Sequence, residues 1–220
     1  MKESEYYGHP RREMIAHVPA AAGTVLDIGC GSGTFAASLR QERNPDLELW
    51  GVEMDPDAAR RAAKILDHVH VGDAAKILPD LPKGHFDCIV CNDVLEHVAH
   101  PDTMLRAIIP LVRPGGRIVA SIPNVRYFFN VLDLVLHGRW EYTDEGILDR
   151  THLRFFTRSS IESMFAECGF EIESMTGINP TGSIKFKIVN LLTLGRWQDM
   201  KYLQFAVVGM VLPIRHEIPK

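Results

Sequence analysis

The chain has 220 residues, 46% of them hydrophobic and 24% charged, the make-up of a domain that buries a sizeable core. Its 24 basic and 28 acidic residues leave a net charge of −4, the wrong sign for a protein whose main partner is a phosphate backbone. The four cysteines (Cys30, Cys88, Cys91, Cys168) follow neither disulfide nor zinc spacing, and the polar N-terminus offers no signal-peptide core.

Short apolar runs alternate with helical patterns along the first half. Residues 24–29 (TVLDIG) predict a buried strand, followed by a glycine turn and a helix over 34–43. Residues 47–53 predict a second strand. A helix follows, with Asp55 as its cap and Pro56 in its first turn. A short third strand is expected at 68–73 and a fourth at 86–93, then a helix from 101 and a fifth strand launched by the turn RPGG at 113–116. Beyond Asn124 the rhythm changes. A largely apolar helix is expected over 125–138, a loop through RWEYTDEGILDRTHLRFF, and a helix capped by Thr157 that stops before Gly169. Strands at 170–178 and 201–212 close the pattern, with a helix between them at 183–197. Strands separated by helices imply a parallel sheet covered on both faces. The expected organisation is a single domain over 1–220, with an N-terminal arm at 1–20 and cap insertions at 125–150 and 181–200. The longest apolar stretch, 205–212, is far short of the roughly 20 residues of a membrane helix. The expectation is therefore a cytoplasmic protein with buried free thiols and no membrane insertion.

The turn VLDIGCGSG carries the first chemistry. A dinucleotide fingerprint reads G-x-G-x-x-G, with a pyrophosphate on the helix N-terminus. Here the glycines stand at every second position (Gly29, Gly31, Gly33), and Asp27 precedes them. A carboxylate there repels pyrophosphate but suits a ligand with an ammonium group and a sulfonium, such as S-adenosylmethionine (SAM). Glu53 ends the second strand, where an acid can accept both ribose hydroxyls, and Met54 can pack on the adenine. Asp73 can accept from the adenine amine, with Ala74 offering a backbone donor, and Asn92 and Asp93 end the fourth strand at the ligand-binding edge.

VLDIGCGSG, GVEMD, VGDA, FDCIVCNDVLEHV and the RPGG-to-SIPN strand together resemble class I SAM-dependent methyltransferases, in the family's order, over roughly residues 20–178. The resemblance implies a Rossmann-like, doubly wound α/β fold with a seven-stranded sheet, mostly parallel, whose last strand is antiparallel, plus helical cap insertions. It implies SAM as cofactor and an oxygen or nitrogen of a small-molecule acceptor (a sugar, glycan precursor, quinone or secondary metabolite) as target.

Methyl transfer is an in-line displacement, so the protein mainly aligns nucleophile and sulfonium, with a base where the acceptor must lose a proton. DRTHLRFF resembles the xHLRFF stretch of many small-molecule methyltransferases, which reaches the acceptor pocket, and this marks His152 as catalytic candidate or as a structural histidine on a backbone carbonyl. Asp149 and Arg150 are candidates to orient it or to form a surface ion pair. Asp93, Glu96 and His97 stand at i, i+3 and i+4, one face of a helix beginning there. With His152 they resemble the E-x-x-E-H…H metal site of small-RNA ribose methyltransferases and of ubiquinone O-methyltransferases, except that Asp93 replaces the first glutamate. Capping by the same side chains is the preferred reading, so a divalent metal is admitted but not favoured and no metal ligand is assigned. The alternatives are a metal-dependent RNA ribose methyltransferase and a non-catalytic SAM-binding regulator. An NAD-dependent oxidoreductase is disfavoured by Asp27. Tyr6, Tyr7, Tyr127, Phe128, Phe129, Trp140 and Tyr142 are expected to pack in the cap or line a lid, and Arg11 and Arg12 to lie on a solvated helix face.

Overall fold

The computed structural model describes residues 10–212. Seven strands form one sheet in the order β3-β2-β1-β4-β5-β7-β6. They are β1 Thr24–Ile28, β2 Glu48–Glu53, β3 His68–Val71, β4 Phe86–Asn92, β5 Val112–Pro123, β6 Phe170–Pro180 and β7 Tyr202–Val211. β1 through β5 pair in parallel, and β7 runs antiparallel between β5 and β6. The fold class read from the sequence is therefore the fold observed.

The central strands are apolar on both faces because helices cover both. Val25 packs in one layer with α1 (Arg12–Ile15), α2 (Thr34–Glu42) and α3 (Pro56–Ala62). Leu26, its neighbour in β1, points to the opposite layer. That layer is built by α5 (Pro101–Ile108) and α7 (Arg158–Glu167), with Leu78 and Leu81 from just beyond α4 (Ala74–Ile77). Adjacent strand residues point to opposite faces, so a near-continuous hydrophobic run is what a doubly covered parallel strand requires.

The expected caps are present. Asp55 Oδ1 accepts from the Ala58 N–H at 2.6 Å with Pro56 in the first turn, and Thr157 and Ser160 form a reciprocal capping box on α7. The four cysteines are free and buried. Two further helices, α6 (Phe128–His137) and α8 (Ile184–Leu192), lie outside the alternating pattern and pack on each other through Phe128 and Phe186, whose rings meet at 5.6 Å. Residues 138–157, between α6 and α7, form no helix or named strand, as expected of that segment.

Candidate active site

β1 delivers its last residues to the carboxyl edge of the sheet, where the chain turns at Gly29, Gly31 and Gly33. Gly33 has φ 82°, and a Cβ built on it would lie 2.8 Å from Leu66 Cδ1 and 3.2 Å from the Ala62 Cα. Only glycine allows both that conformation and that approach of α2 to α3. Asp27 is buried beneath the turn. Burial, and then the charge of Glu53, push its carboxyl up to about 8. A cation brought to this spot would restore the ionised form.

Glu53 faces the turn from the end of β2. Its Oε2 accepts the Gly31 N–H and its Oε1 the Asp55 N–H, each at 2.8 Å, so the side chain is held rigidly between the glycine turn and α3. Met54, beside it, is 68% exposed, an open apolar surface at the end of β2. Asp73 caps α4 through the Ala75 N–H at 2.9 Å, and Ala74 opens that helix. At the end of β4, both polar atoms of the Asn92 side chain are buried and without hydrogen-bond partners among the described residues. A buried amide in that state is costly and points to a ligand that completes it.

The second half of the site is assembled by the loop after α6. The Glu96 carbonyl accepts the N–H groups of Leu153 (2.8 Å) and Arg154 (3.0 Å), and the Arg154 Nε donates to the Ala99 carbonyl at 3.0 Å. These bonds pin the HLRFF stretch onto the turn after β4. His152 and His97 then meet edge to face at 4.7 Å. The His152 Nδ1 lies 2.9 Å from the Ile147 carbonyl. A carbonyl only accepts, so Nδ1 is the donor of this pair, and in the neutral ring that leaves Nε2 as the lone-pair nitrogen. The His97 Nδ1 is placed in the same way by the Thr151 carbonyl at 3.2 Å. Thr151 is in turn held by Asp149, which accepts from its N–H and its hydroxyl. Burial raises the Asp149 carboxyl, but those two bonds and the neighbouring histidines outweigh it and leave it below its usual range. Burial, and then His152, lower His97.

Glu96 is buried with neither carboxylate oxygen hydrogen-bonded among the described residues, and burial, then Asp93, hold its proton far above the usual range. One ligand atom each from Glu96, His97 and His152 fall within 4.8 Å of one another. Two imidazoles and a buried carboxylate without partners fit a divalent cation. Asp93 is not in this group. The expected helix through 93–97 is instead a single 3-10 turn at Leu95–His97, preceded by Asp93 at φ 53°, and the Asp93 carboxylate is bonded to Arg11, Ser121 and Gln204.

Asp93 goes to a network that sequence reasoning missed. Its Oδ1 accepts from Ser121 Oγ (2.9 Å) and Gln204 Nε2 (2.7 Å), and its Oδ2 accepts from Arg11. Arg11 also donates to Gln204 Oε1 at 3.1 Å. Arg11 therefore does not lie on a solvated helix face; its guanidinium is drawn inward by a carboxylate at the strand edge, while Arg12 is exposed as expected. The available signal was Gln204, a polar residue inside the apolar run of β7. Of the aromatic residues, Trp140 and Tyr142 gather around Phe155 and Phe128 packs against α8, whereas Tyr6 and Tyr7 lie outside the described residues. A cleft of about 440 Å³ opens between Tyr142, Arg150, His152, Leu153 and Phe155. Arg150 itself is tied to Asp144 in a surface ion pair.

Residues 5–175 match the family described as "Methyltransferase domain". The chain belongs to that family. This methyltransferase is 29% identical over 182 residues to a ubiquinone biosynthesis O-methyltransferase of Pseudomonas paraeruginosa, covering 77% of the present chain and 74% of the relative. Its fold is similar to that of a SAM-dependent methyltransferase from Archaeoglobus fulgidus (TM-score 0.64, 17% identity, 94% and 93% of the two chains). It is also similar to part of a small-RNA methyltransferase (TM-score 0.66, 18% identity, 91% of this chain and 24% of the other). The enzyme is a SAM-dependent methyltransferase. No described helix is long and apolar enough to cross a membrane.

Proposed function

We propose that this methyltransferase works as one domain over 1–220 and transfers the SAM methyl group to an oxygen or nitrogen of a small-molecule acceptor. The acceptor is seated in the cleft beside His152, under the segments 125–150 and 181–200. In this proposal Asp27 receives the cofactor's ammonium end above the turn at Gly29, Gly31 and Gly33. Glu53 accepts the ribose hydroxyls, Met54 packs on the adenine, and Asp73 with Ala74 hydrogen-bonds its edge. Asn92 completes its amide on the ligand, and Asp93, engaged by Arg11 and Gln204, holds the strand edge in place. The buried free thiols support work in the reducing cytoplasm.

The observation that carries the acceptor assignment is His152 on the cleft wall, its Nδ1 proton committed to Ile147. Its Nε2 is then the acceptor for a proton from an attacking hydroxyl or amine, which raises the nucleophilicity of the atom that displaces the sulfonium. A cleft of this size and aromatic lining suits a small planar or ring-bearing acceptor. An acidic chain favours that over RNA. A second role for the same residues is supported by the unpartnered Glu96 carboxylate: Glu96, His97 and His152 would hold a divalent cation. When bound, such an ion supplies Lewis-acid polarisation of an acceptor oxygen.

The test is a mass-spectrometric screen of phenolic, sugar and amine acceptors for the gain of one methyl, with and without chelator. His152→Ala and His152→Gln, the latter still able to donate to Ile147, should lose about 10²–10⁴ in kcat while SAM affinity stays within about twofold. Unchanged turnover removes His152 from the chemistry. Loss of activity on chelation, mirrored by Glu96→Gln, assigns the three residues to a metal. Cofactor binding without turnover on any acceptor would make the protein a SAM-binding regulator.

A further inference from the structure

The two helices that lie outside the alternating pattern carry a surface that the methyl-transfer site does not use. In α8, Ile184, Ile188, Leu191 and Leu192 fall at i, i+4, i+7 and i+8, one stripe about 100° wide at 3.6 residues per turn. The stripe faces away from the contact with α6, which uses Phe186 and Val189. Leu191 is 75% exposed and Leu192 77%. Leu194, just past the helix end, is 87% exposed and is held at φ 54°, a left-handed step where glycine or asparagine is usual. Val135 and Leu136, at the end of α6, are exposed as well.

Charge says what covers this surface. At the same angular spacing, Lys187 and Lys185 fall at the two edges of the α8 stripe. α8 itself carries these two lysines and no carboxylate, within a chain of net charge −4. In the neighbouring elements Asp133 is engaged by His137 and Asp199 by Arg126. An apolar stripe flanked by lysines, on a helix of nine residues, is too short to span a bilayer and is built to lie in its surface, leucines toward the acyl chains and ammonium groups at the phosphates.

We propose that the α6–α8 face docks the enzyme on an anionic phospholipid bilayer, peripherally and without insertion across it. Both contributions are needed: the cations concentrate the protein at the surface and fall off with salt, and the leucines hold it there.

The test is co-sedimentation of the full chain with vesicles of phosphatidylcholine alone and with vesicles containing about one third phosphatidylglycerol, as a cytoplasmic leaflet would present. The expected result is binding at least tenfold stronger to the anionic vesicles and weakened by raised salt. Leu191→Glu/Leu192→Glu and Lys185→Glu/Lys187→Glu should each reduce binding at least tenfold while circular dichroism and SAM affinity are unchanged, and Lys83→Glu should bind as wild type. Absence of binding to anionic vesicles overturns the proposal. So does loss in the lysine variant alone, which would leave the leucines without a role. A dimer that dissociates in Leu191→Glu/Leu192→Glu and ignores vesicles would assign the face to a second copy. Retention of duplex RNA in a gel shift without vesicle binding would assign it to nucleic acid. Either outcome refutes membrane docking.

Discussion

Replacing Asp27 by asparagine should uncouple SAM binding from pH. In the free enzyme burial and Glu53 hold the carboxyl at about 8, against an ordinary 3.8, so at pH 7 about nine-tenths of the molecules carry the proton. On the proposed contact with its ammonium end, the cationic cofactor selects the ionised form. Binding at pH 7 therefore expels about 0.9 proton from this site, and affinity rises by about tenfold per pH unit between roughly pH 6 and 8 before levelling. The sign for stability follows from the same shift. An acid whose folded pKa is raised contributes most while protonated. The unliganded fold therefore loses about 1.4 kcal/mol per pH unit as pH climbs from about 4 to 8, some 6 kcal/mol in all. Asp27→Asn removes that slope. It also removes a charged hydrogen bond of about 1.5–3 kcal/mol, so at high pH it should bind SAM about 10–150-fold more weakly than wild type, and at pH 6 the gap should narrow. The assay is titration calorimetry in phosphate and in Tris, which separates proton release from binding heat. The cofactor's own amine titrates identically with both proteins, so the difference between them is the observable. Equal proton counts in the two proteins, or an affinity gap constant from pH 6 to 8, would refute the electrostatic account of the pocket.

Three further outcomes follow from local geometry. Gly33→Ala puts a Cβ against Leu66 and the Ala62 backbone in a left-handed conformation; it should cost about 2–4 kcal/mol and lower Tm by about 5–15 °C in differential scanning calorimetry. Arg11→Ala strips the Asp93 carboxylate of its cation. Because that site is partly solvated the loss should be about 1–2 kcal/mol in urea unfolding, and it should shrink in an Asp93→Asn background. Thr157→Ala removes the α7 capping box, for a loss of about 1 kcal/mol and a Tm lower by about 2–4 °C, with methyl transfer unaffected.

The parallel-sheet half of this enzyme was legible in one dimension because each of its signals is local. A strand buried on both faces reads as the apolar run of β1 and the inner part of β4. A helix start reads as Asp55-Pro56 or Thr157, and a turn that must adopt positive φ reads as Gly29, Gly31 and Gly33. The cofactor class was legible for the same reason: Asp27 is covalently two residues from the turn it serves. Only tertiary structure decided what depends on residues far apart in sequence. It joined His97 to His152 across 55 positions through the Glu96 carbonyl, and it brought Arg11 and Gln204 to Asp93, which stands outside the group of Glu96, His97 and His152. A buried charge takes whichever partner the packing offers. Partner choice is a property of the assembled sheet edge, where hydrogen bonds and ion pairs are settled only after the strands that carry them have found their neighbours.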